Sequence, residues 1–299
     1  MRRGVVLNTP RICLGSGYAG LGKNSLQLLG TNRNVTVIDA AGSNRRVLTL
    51  SNAANTRIEG VCLRGGTLTG SGNFYGGGVY MENCAGVTFA SCTFLTNRVQ
   101  SSDNGAGAGV YAIGSVTAYR TVFCSNEADN VTYRYGQGGG VYASGPLFLR
   151  NCLFYTNRAA SQGDAVYIAG GSAVLESCTV ARHGRDGLYR AAGTVAATNC
   201  VVWGNGDDLV GSIALAYCDI EDGDSNTVNG CINGDPKFED TTNGNFRLGR
   251  GSAVINQGFR LPWMTGGTDL DGNTRIRAGS VDMGAYEALD TPGSLMQIM

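Results

Sequence analysis

The sequence predicts an all-β chain wound as a single-stranded, right-handed parallel β-helix, a solenoid, with a C-terminal capping segment. Three observations predict it. First, the pattern apolar-x-apolar-x-x-Cys-x-apolar recurs in one register, as Val87, Phe89, Cys92 and Phe94, then Leu147, Leu149, Cys152 and Phe154, then Ala173, Leu175, Cys178 and Val180. Val195, Ala197, Cys200, Val202 and Ile213, Leu215, Cys218, Ile220 repeat it, and Val116, Ala118, Thr121, Phe123 carries threonine at the cysteine position. Second, a glycine-rich run ending in Val-Tyr precedes these copies at 76–80, 107–111 and 138–142 and fades at 163–167 and 186–189. Third, no window has apolar residues at helical spacing. Alternation at period two marks strands. A repeat of 20–50 residues marks stacked units. Three short strands per repeat then give coils that each rise by about 4.8 Å, the strand spacing, with glycine at corners where φ is positive.

Residues 1–34 read as an incomplete N-terminal coil or cap. Met1, Arg2 and Arg3 are basic, but no apolar segment of a secretory signal follows. That leaves a cytoplasmic protein or a mature form or fragment; residues 5–29 already have coil character with no cap before them, which favours the fragment, since open solenoid ends need covering.

Residues 35–232 are the β-helix repeats. Glycine is the commonest residue at 47 and proline is scarce at 5, as expected for many tight corners rather than disorder. Charged residues are 15% with formal net charge zero. No basic face for nucleic acid is evident, and no apolar stretch reaches the length of a membrane span. A monomer is expected. Of ten cysteines, Cys92, Cys152, Cys178, Cys200 and Cys218 share one inward repeat position. They read as a ladder of free, buried thiols. Zinc is not suggested, because no Cys-x-x-Cys occurs and His183 is the sole histidine. Phe94, Phe123 and Phe154 are each followed three residues on by Asn97, Asn126 and Asn157; Asn205 follows Val202, and His183 replaces the asparagine in one coil. This predicts an amide ladder holding a corner.

The paired Gly-Gly-x-Val and Phe-x-x-Asn motifs, over residues 56–220, resemble the repeats of chlamydial polymorphic outer-membrane proteins and related bacterial surface β-helices. Those are surface adhesins carried by a C-terminal membrane barrel; no such barrel is expected from these residues. Residues 233–287 read as a capping segment, with Phe238, Phe246, Leu248, Val254 and Ile255 covering the open end of the core. Their motifs, Asp235-Pro236-Lys237-Phe238, Asn245-Phe246-Arg247-Leu248, Val254-Ile255-Asn256-Gln257-Gly258, Asp269-Leu270-Asp271-Gly272-Asn273 and Asp282-Met283-Gly284-Ala285-Tyr286-Glu287, resemble the closing segment of bacterial choice-of-anchor Q domain proteins. That resemblance implies an exported protein, extracellular or at the cell surface, and names no reaction. Residues 288–299 are a tail. Asp269, Asp271 and Asn273 have the spacing of a calcium loop's first ligands, but Ser280 stands where the twelfth-position glutamate belongs. Calcium and a structural turn with Asp282 paired to Arg275 are both open.

The repeat lengths point to a site. Successive Val-Tyr runs lie 31, 31, 25 and 22 residues apart. The extra residues fall at one corner, in 67–75, 98–106 and 127–137, and insertions at equivalent positions in a solenoid form one wall. The wall carries Phe74, Tyr75, Tyr133 and Tyr135 with Arg98, Asp103, Glu127, Asp129 and Arg134. Aromatic rings cover sugar faces and charged groups bond hydroxyls, so the expected partner is a polysaccharide or cell-surface glycan. The favoured function is an adhesin-like, non-catalytic binder. The alternative is a polysaccharide lyase or glycoside hydrolase of the pectate-lyase-like type. A hydrolase needs two carboxylates roughly 5 to 9.5 Å apart, for which Asp103, Glu127 and Asp129, or Asp207 and Asp208, are candidates. A lyase needs a base, for which Arg120, Arg150 and Arg182 are candidates, with Arg120 and Arg150 expected at the same corner of successive coils.

Overall fold

A computed structural model describes the strands Gly4–Leu7, Arg11–Cys13 and Gly20–Leu21 and residues 25–130 and 135–289. Inward residues alternate with outward ones in short strands that stack on three faces. The first face holds Leu48–Ser51, the front of Val79–Ala90 and of Val110–Tyr119, then Val141–Ala143, Val166–Ile168, Asp186–Arg190 and Asp207–Val210. The second continues from the back of the two long strands into Leu147–Arg150, Ser172–Glu176, Thr194–Thr198 and Ala214–Ala216. The third is a nine-stranded stack from Arg11–Cys13 to Asp219–Ile220. Every pairing between strands of these faces is parallel. The expected parallel β-helix is what the chain forms.

The interior is continuous from Leu28 to Cys231. Phe94, Phe123 and Phe154 stack at 4.7 and 4.5 Å with planes within 3° of parallel. The cysteine ladder is there as expected: the nine described cysteines are unpaired and buried. Each ladder thiol donates to a backbone carbonyl, Cys92 Sγ to Ala90 and Cys152 Sγ to Arg150, both at 3.4 Å. Thr121 keeps that bond with its hydroxyl, at 3.0 Å to Tyr119. The amide ladder is equally regular. Asn97 Nδ2 donates to Asn126 Oδ1 at 3.0 Å, and Asn126 Nδ2 to Asn157 Oδ1 at 2.8 Å.

Both ladders stand immediately after a left-handed residue. Ser91 (φ 50°), Asn151 (50°) and Ser177 (51°) precede ladder cysteines, and Thr96 (51°), Ser125 (53°) and Thr156 (50°) precede ladder asparagines. Such a residue turns the chain by one corner, and the buried bonds of the next residue hold the turn in place. At the glycine-rich corner the requirement is space. A Cβ on Gly78 would lie 2.4 Å from the Gly109 carbonyl, and one on Gly109 2.4 Å from that of Gly140.

The C-terminal segment departs from expectation. Residues 221–232 close the end of the core: Cys231 is buried in it, and Ile232 bridges to Asp219. Residues 233–289 instead run back along the flank. Phe246 packs with Leu153 and Ala181, and Leu248, Val254 and Met283 pack with Val201, all outward-facing residues of the third face. Thr268 accepts bonds from Arg120 and Asn151, and Asn199 and Phe259 exchange two backbone-to-amide bonds at 2.7 Å. The segment is a strap rather than an end cap, because the third face presents apolar side chains outward as well as inward.

Candidate functional site

The three inserted corners do form one wall. Thr67–Gly70, Arg98–Ser101, Glu127–Asn130 and Arg158–Ala159 make a four-stranded parallel sheet, and Phe74–Tyr75 pairs with Gly105–Ala106 beside it. The wall has its own small apolar seam of Val99, Ala108 and Ala128, with Leu68 and Phe74 against it. Phe74 therefore turns into the seam, where a surface ring was expected. Thr67, Arg98, Glu127 and Arg158 are in register across the four strands, so one outward row alternates in charge.

That row is tied together. Arg98 pairs with Glu127 at 3.1 Å and approaches Asp129 at 3.7 Å. Arg158 pairs with Glu127 on its other side and lies 3.6 Å from Asp129. Both carboxylates are thus bracketed between two guanidinium groups. Asp103 lies beyond the strand end, exposed, its backbone N–H donating to Ser101 Oγ at 3.0 Å. Tyr135 is exposed to 58% at the wall's tip. Tyr133 and Arg134 fall outside the described residues.

Beside the wall stands a second feature, a column of five tyrosines on the outer side of the first face. Tyr80, Tyr111, Tyr142, Tyr167 and Tyr189 stack in sequence at 5.6, 4.7, 5.3 and 5.2 Å. Tyr75 stacks on Tyr111 at 4.6 Å, so its ring face is also taken. Burial pushes the Tyr80, Tyr111, Tyr142 and Tyr167 hydroxyls above the usual tyrosine range and keeps them neutral. Gln137 and Gln162 donate to the Tyr167 and Tyr189 hydroxyls at 3.1 and 2.8 Å. The column offers ring edges and hydroxyls; its ring faces are spent on one another.

The other candidates lie apart from the wall. Arg150 is paired with Glu176 at 2.8 Å and enclosed by Trp263, Phe148 and Tyr119, which removes it as a free base. Arg120 and Arg150 share one two-residue corner of successive coils, as expected, but occupy its two different positions, since Arg150 aligns with Tyr119. Arg120 donates to Thr268 Oγ1 at 2.9 Å, and Arg182 to Thr241 Oγ1 at 2.8 Å. Asp207 is exposed, whereas Asp208 is buried, accepting from Asn205 Nδ2 and the Glu221 N–H at 2.8 Å each, and burial raises its pKa to about 6. Asp269 accepts from the N–H groups of Asp271, Asn273 and Glu287 and from Asn273 Nδ2. Asp271 chelates Arg247 at 2.6 and 2.8 Å. Among the described residues no group of three or more acidic, histidine or cysteine side chains has the geometry to hold a metal. Arg275 pairs with Glu287 at 3.1 Å and donates to the Asp282 carbonyl, so the expected Arg275–Asp282 ion pair is replaced by one to Glu287.

Two features escaped the sequence reading. Arg158 completes the wall, and its signal was present: Asn97-Arg98 and Asn157-Arg158 occupy one repeat position, with Asn126-Glu127 between them. The tyrosines follow the inward valine or leucine in five successive strands of the first face, Val79, Val110, Val141, Val166 and Leu188, which places them outward and in line.

No family model matches the sequence, and no curated protein matches it. The likeness to choice-of-anchor Q proteins therefore rests on the C-terminal motifs alone. Among solved structures, the crystal structure of pectate lyase Pel9A is similar over 95% of this chain and 88% of that one, with a TM-score of 0.54 and 14% identity. At that identity the likeness is one of fold. No helix among the described residues is long and apolar enough to cross a membrane.

Proposed function

We propose that this chain is a non-catalytic β-helix, secreted or displayed at a cell surface, that binds polysaccharide or cell-surface glycan across the inserted wall as a monomer. The observation behind this reading is the bracketing of Glu127 and Asp129 between Arg98 and Arg158. A glycosidase needs one carboxyl group to give up a proton and another to attack or activate water. Here the oxygens of both wall carboxylates are engaged by Arg98 and Arg158, so each serves as a hydrogen-bond acceptor within the row. An outward row alternating donor and acceptor, repeating at the strand spacing of about 4.8 Å, suits a chain of hydroxyl-bearing sugars.

The test is a glycan array probed with the purified chain, with lyase and hydrolase assays on the same sample. Retention without turnover is expected. Tyr135→Ala should weaken retention while leaving the fold intact, because that side chain lies outside the core. Glu127→Gln with Asp129→Asn should lower affinity in part. An unsaturated or shortened product from the wild-type chain, abolished by those two amides, would establish the alternative of a polysaccharide lyase or glycoside hydrolase.

A further inference from the structure

The wall ends abruptly, and its end leaves a notch. Arg158–Ala159 is its last strand. Tyr155 pairs with Ala181 in the next coil, so three residues further on Arg158 is matched by Gly184, which has no side chain. A Cβ built on Gly184 would meet only Asp164 Oδ2, at 3.9 Å. The resulting crevice has a volume of about 380 Å³ and is lined by Arg158, Arg182, Arg185, Gly184 and Asp164 among others.

Three arginines thus line one opening. Arg158 is turned toward the wall carboxylates and shares them with Arg98, two cations against two anions. Arg182 is held by the neutral hydroxyls of Thr241 and Thr242 on the strap. The Arg185 guanidinium has no hydrogen bond or ion pair among the described residues. Asp164 is the carboxylate within the notch, and its oxygens are taken by the N–H groups of Ala159 at 2.6 Å and Arg185 at 2.9 Å. Asp164 and Asp186 act on the Arg185 guanidinium, and Asp240 on that of Arg182, only through space. A paired row therefore gives way, at its end, to two arginines whose guanidinium groups make no direct bond to a carboxylate among the described residues.

We infer that this notch is an oxyanion subsite, taking a carboxylate or sulfate ester carried by the polysaccharide that lies on the wall. Arginine's planar fork fits either group with two parallel N–H bonds, and the empty place beside Arg158 admits the charged substituent next to the last wall strand. The inference rests on the polysaccharide reading and narrows it to acidic polymers.

The experiment compares retention of a uronate polymer, a sulfated polymer and a neutral polymer by the full chain, by Arg185→Gln and by Arg182→Gln. In parallel, free glucuronate and inorganic sulfate are titrated against the arginine side-chain N–H signals in NMR spectra. The expected result is preference for an acidic polymer, reduced about tenfold by Arg185→Gln, as for loss of a charge-assisted hydrogen bond, with neutral binding unchanged. Preference for the uronate polymer assigns a carboxylate, and preference for the sulfated one assigns a sulfate ester. Equal retention of all three polymers, unaffected by Arg185→Gln, overturns the notch and leaves the wall as a glycan site. If no polymer is retained but glucuronate or sulfate shifts the Arg185 signal, the polysaccharide reading fails and the subsite stands. If neither small anion shifts it and no polymer is retained, both fail.

Discussion

Nδ1 of His183 lies 2.8 Å from Oδ1 of Asn205, and that contact fixes the imidazole as a neutral ring in the amide ladder. Asn205 can only accept there, because its Nδ2 donates to Asp208 at 2.8 Å. On the other side Asn157 Nδ2 points at His183 Nε2 at 3.2 Å, which must then accept. Nδ1 carries the proton and Nε2 is bare. A second proton would set donor against donor in a buried site, and burial lowers the pKa to about 4.

An acid-side loss of stability follows. The unfolded histidine takes up its proton near pH 6.5, whereas the folded one resists until about 4, so the unfolded state binds more protons in between. Urea unfolding should show stability falling as pH drops from 6.5 toward 4, by roughly 3 kcal/mol at about 1.4 kcal/mol per pKa unit. His183→Asn, which copies the rest of the ladder, should remove most of that slope. An unchanged slope would mean that the ring is not held as described.

Asp219 has the opposite sign. It is buried, Oδ1 accepts from Gly234 N–H at 2.8 Å, Oδ2 has no hydrogen-bond partner, and burial raises its pKa to about 7. The folded state therefore holds this proton longer than the unfolded one, and stability declines as pH rises from about 4 through 7. Asp219→Asn should be more stable than wild type at pH 8 by more than about 1 kcal/mol and no more stable at pH 4. A mutant equally destabilised at both values would rule out ionisation as the cause.

The thiol ladder should be chemically silent. Cys92 is fully buried and its pKa is pushed up to about 12, so the reactive thiolate is scarce. An alkylating reagent should label none of Cys92, Cys152, Cys178, Cys200 and Cys218 before denaturation, and all of them after. Cys218 and Cys231 are neighbours at the closed end, and a native bridge between them in peptide mapping would contradict the unpaired thiols described.

The three faces and both ladders were legible in the sequence because each depends on residues at a fixed repeat position. Val87, Phe89, Cys92 and Phe94 recur in register, and register is what parallel stacking preserves. Even His183 was readable as a ladder member from its position. The strap was not legible. Leu153, Ala181 and Val201 face outward and are apolar, but period two cannot tell an outward apolar residue awaiting a cover from an ordinary exposed one. The wall's location followed from repeat lengths, whereas the fate of its aromatics did not. Phe74 and Tyr75 are spent on the seam and on Tyr111 through contacts between coils that no single repeat encodes.

The strap's hold should be measurable at Phe246. Its ring meets Tyr155 at 5.1 Å and Phe238 at 5.2 Å, and it is fully buried. Phe246→Ala should cost about 3–5 kcal/mol, as for a large aromatic lost from a packed site. Deleting 233–299 should bare Leu153, Ala181 and Val201 and produce aggregates in light scattering. A truncated monomer with unchanged melting would make the segment an appendage.

A stack of coils touching only its neighbours can shed rungs one at a time from either end. Here the same strap meets Tyr217 near one end, through Phe259, and borders the turn at 30–34 near the other, where Leu270, Asp271 and Gly272 share a crevice with Arg33. A terminal coil cannot peel away without lifting a tie that also fastens coils far from it. Fraying is thereby converted into a single concerted event, and the molecule should melt all or none where an untied ribbon of the same coils would unravel by degrees.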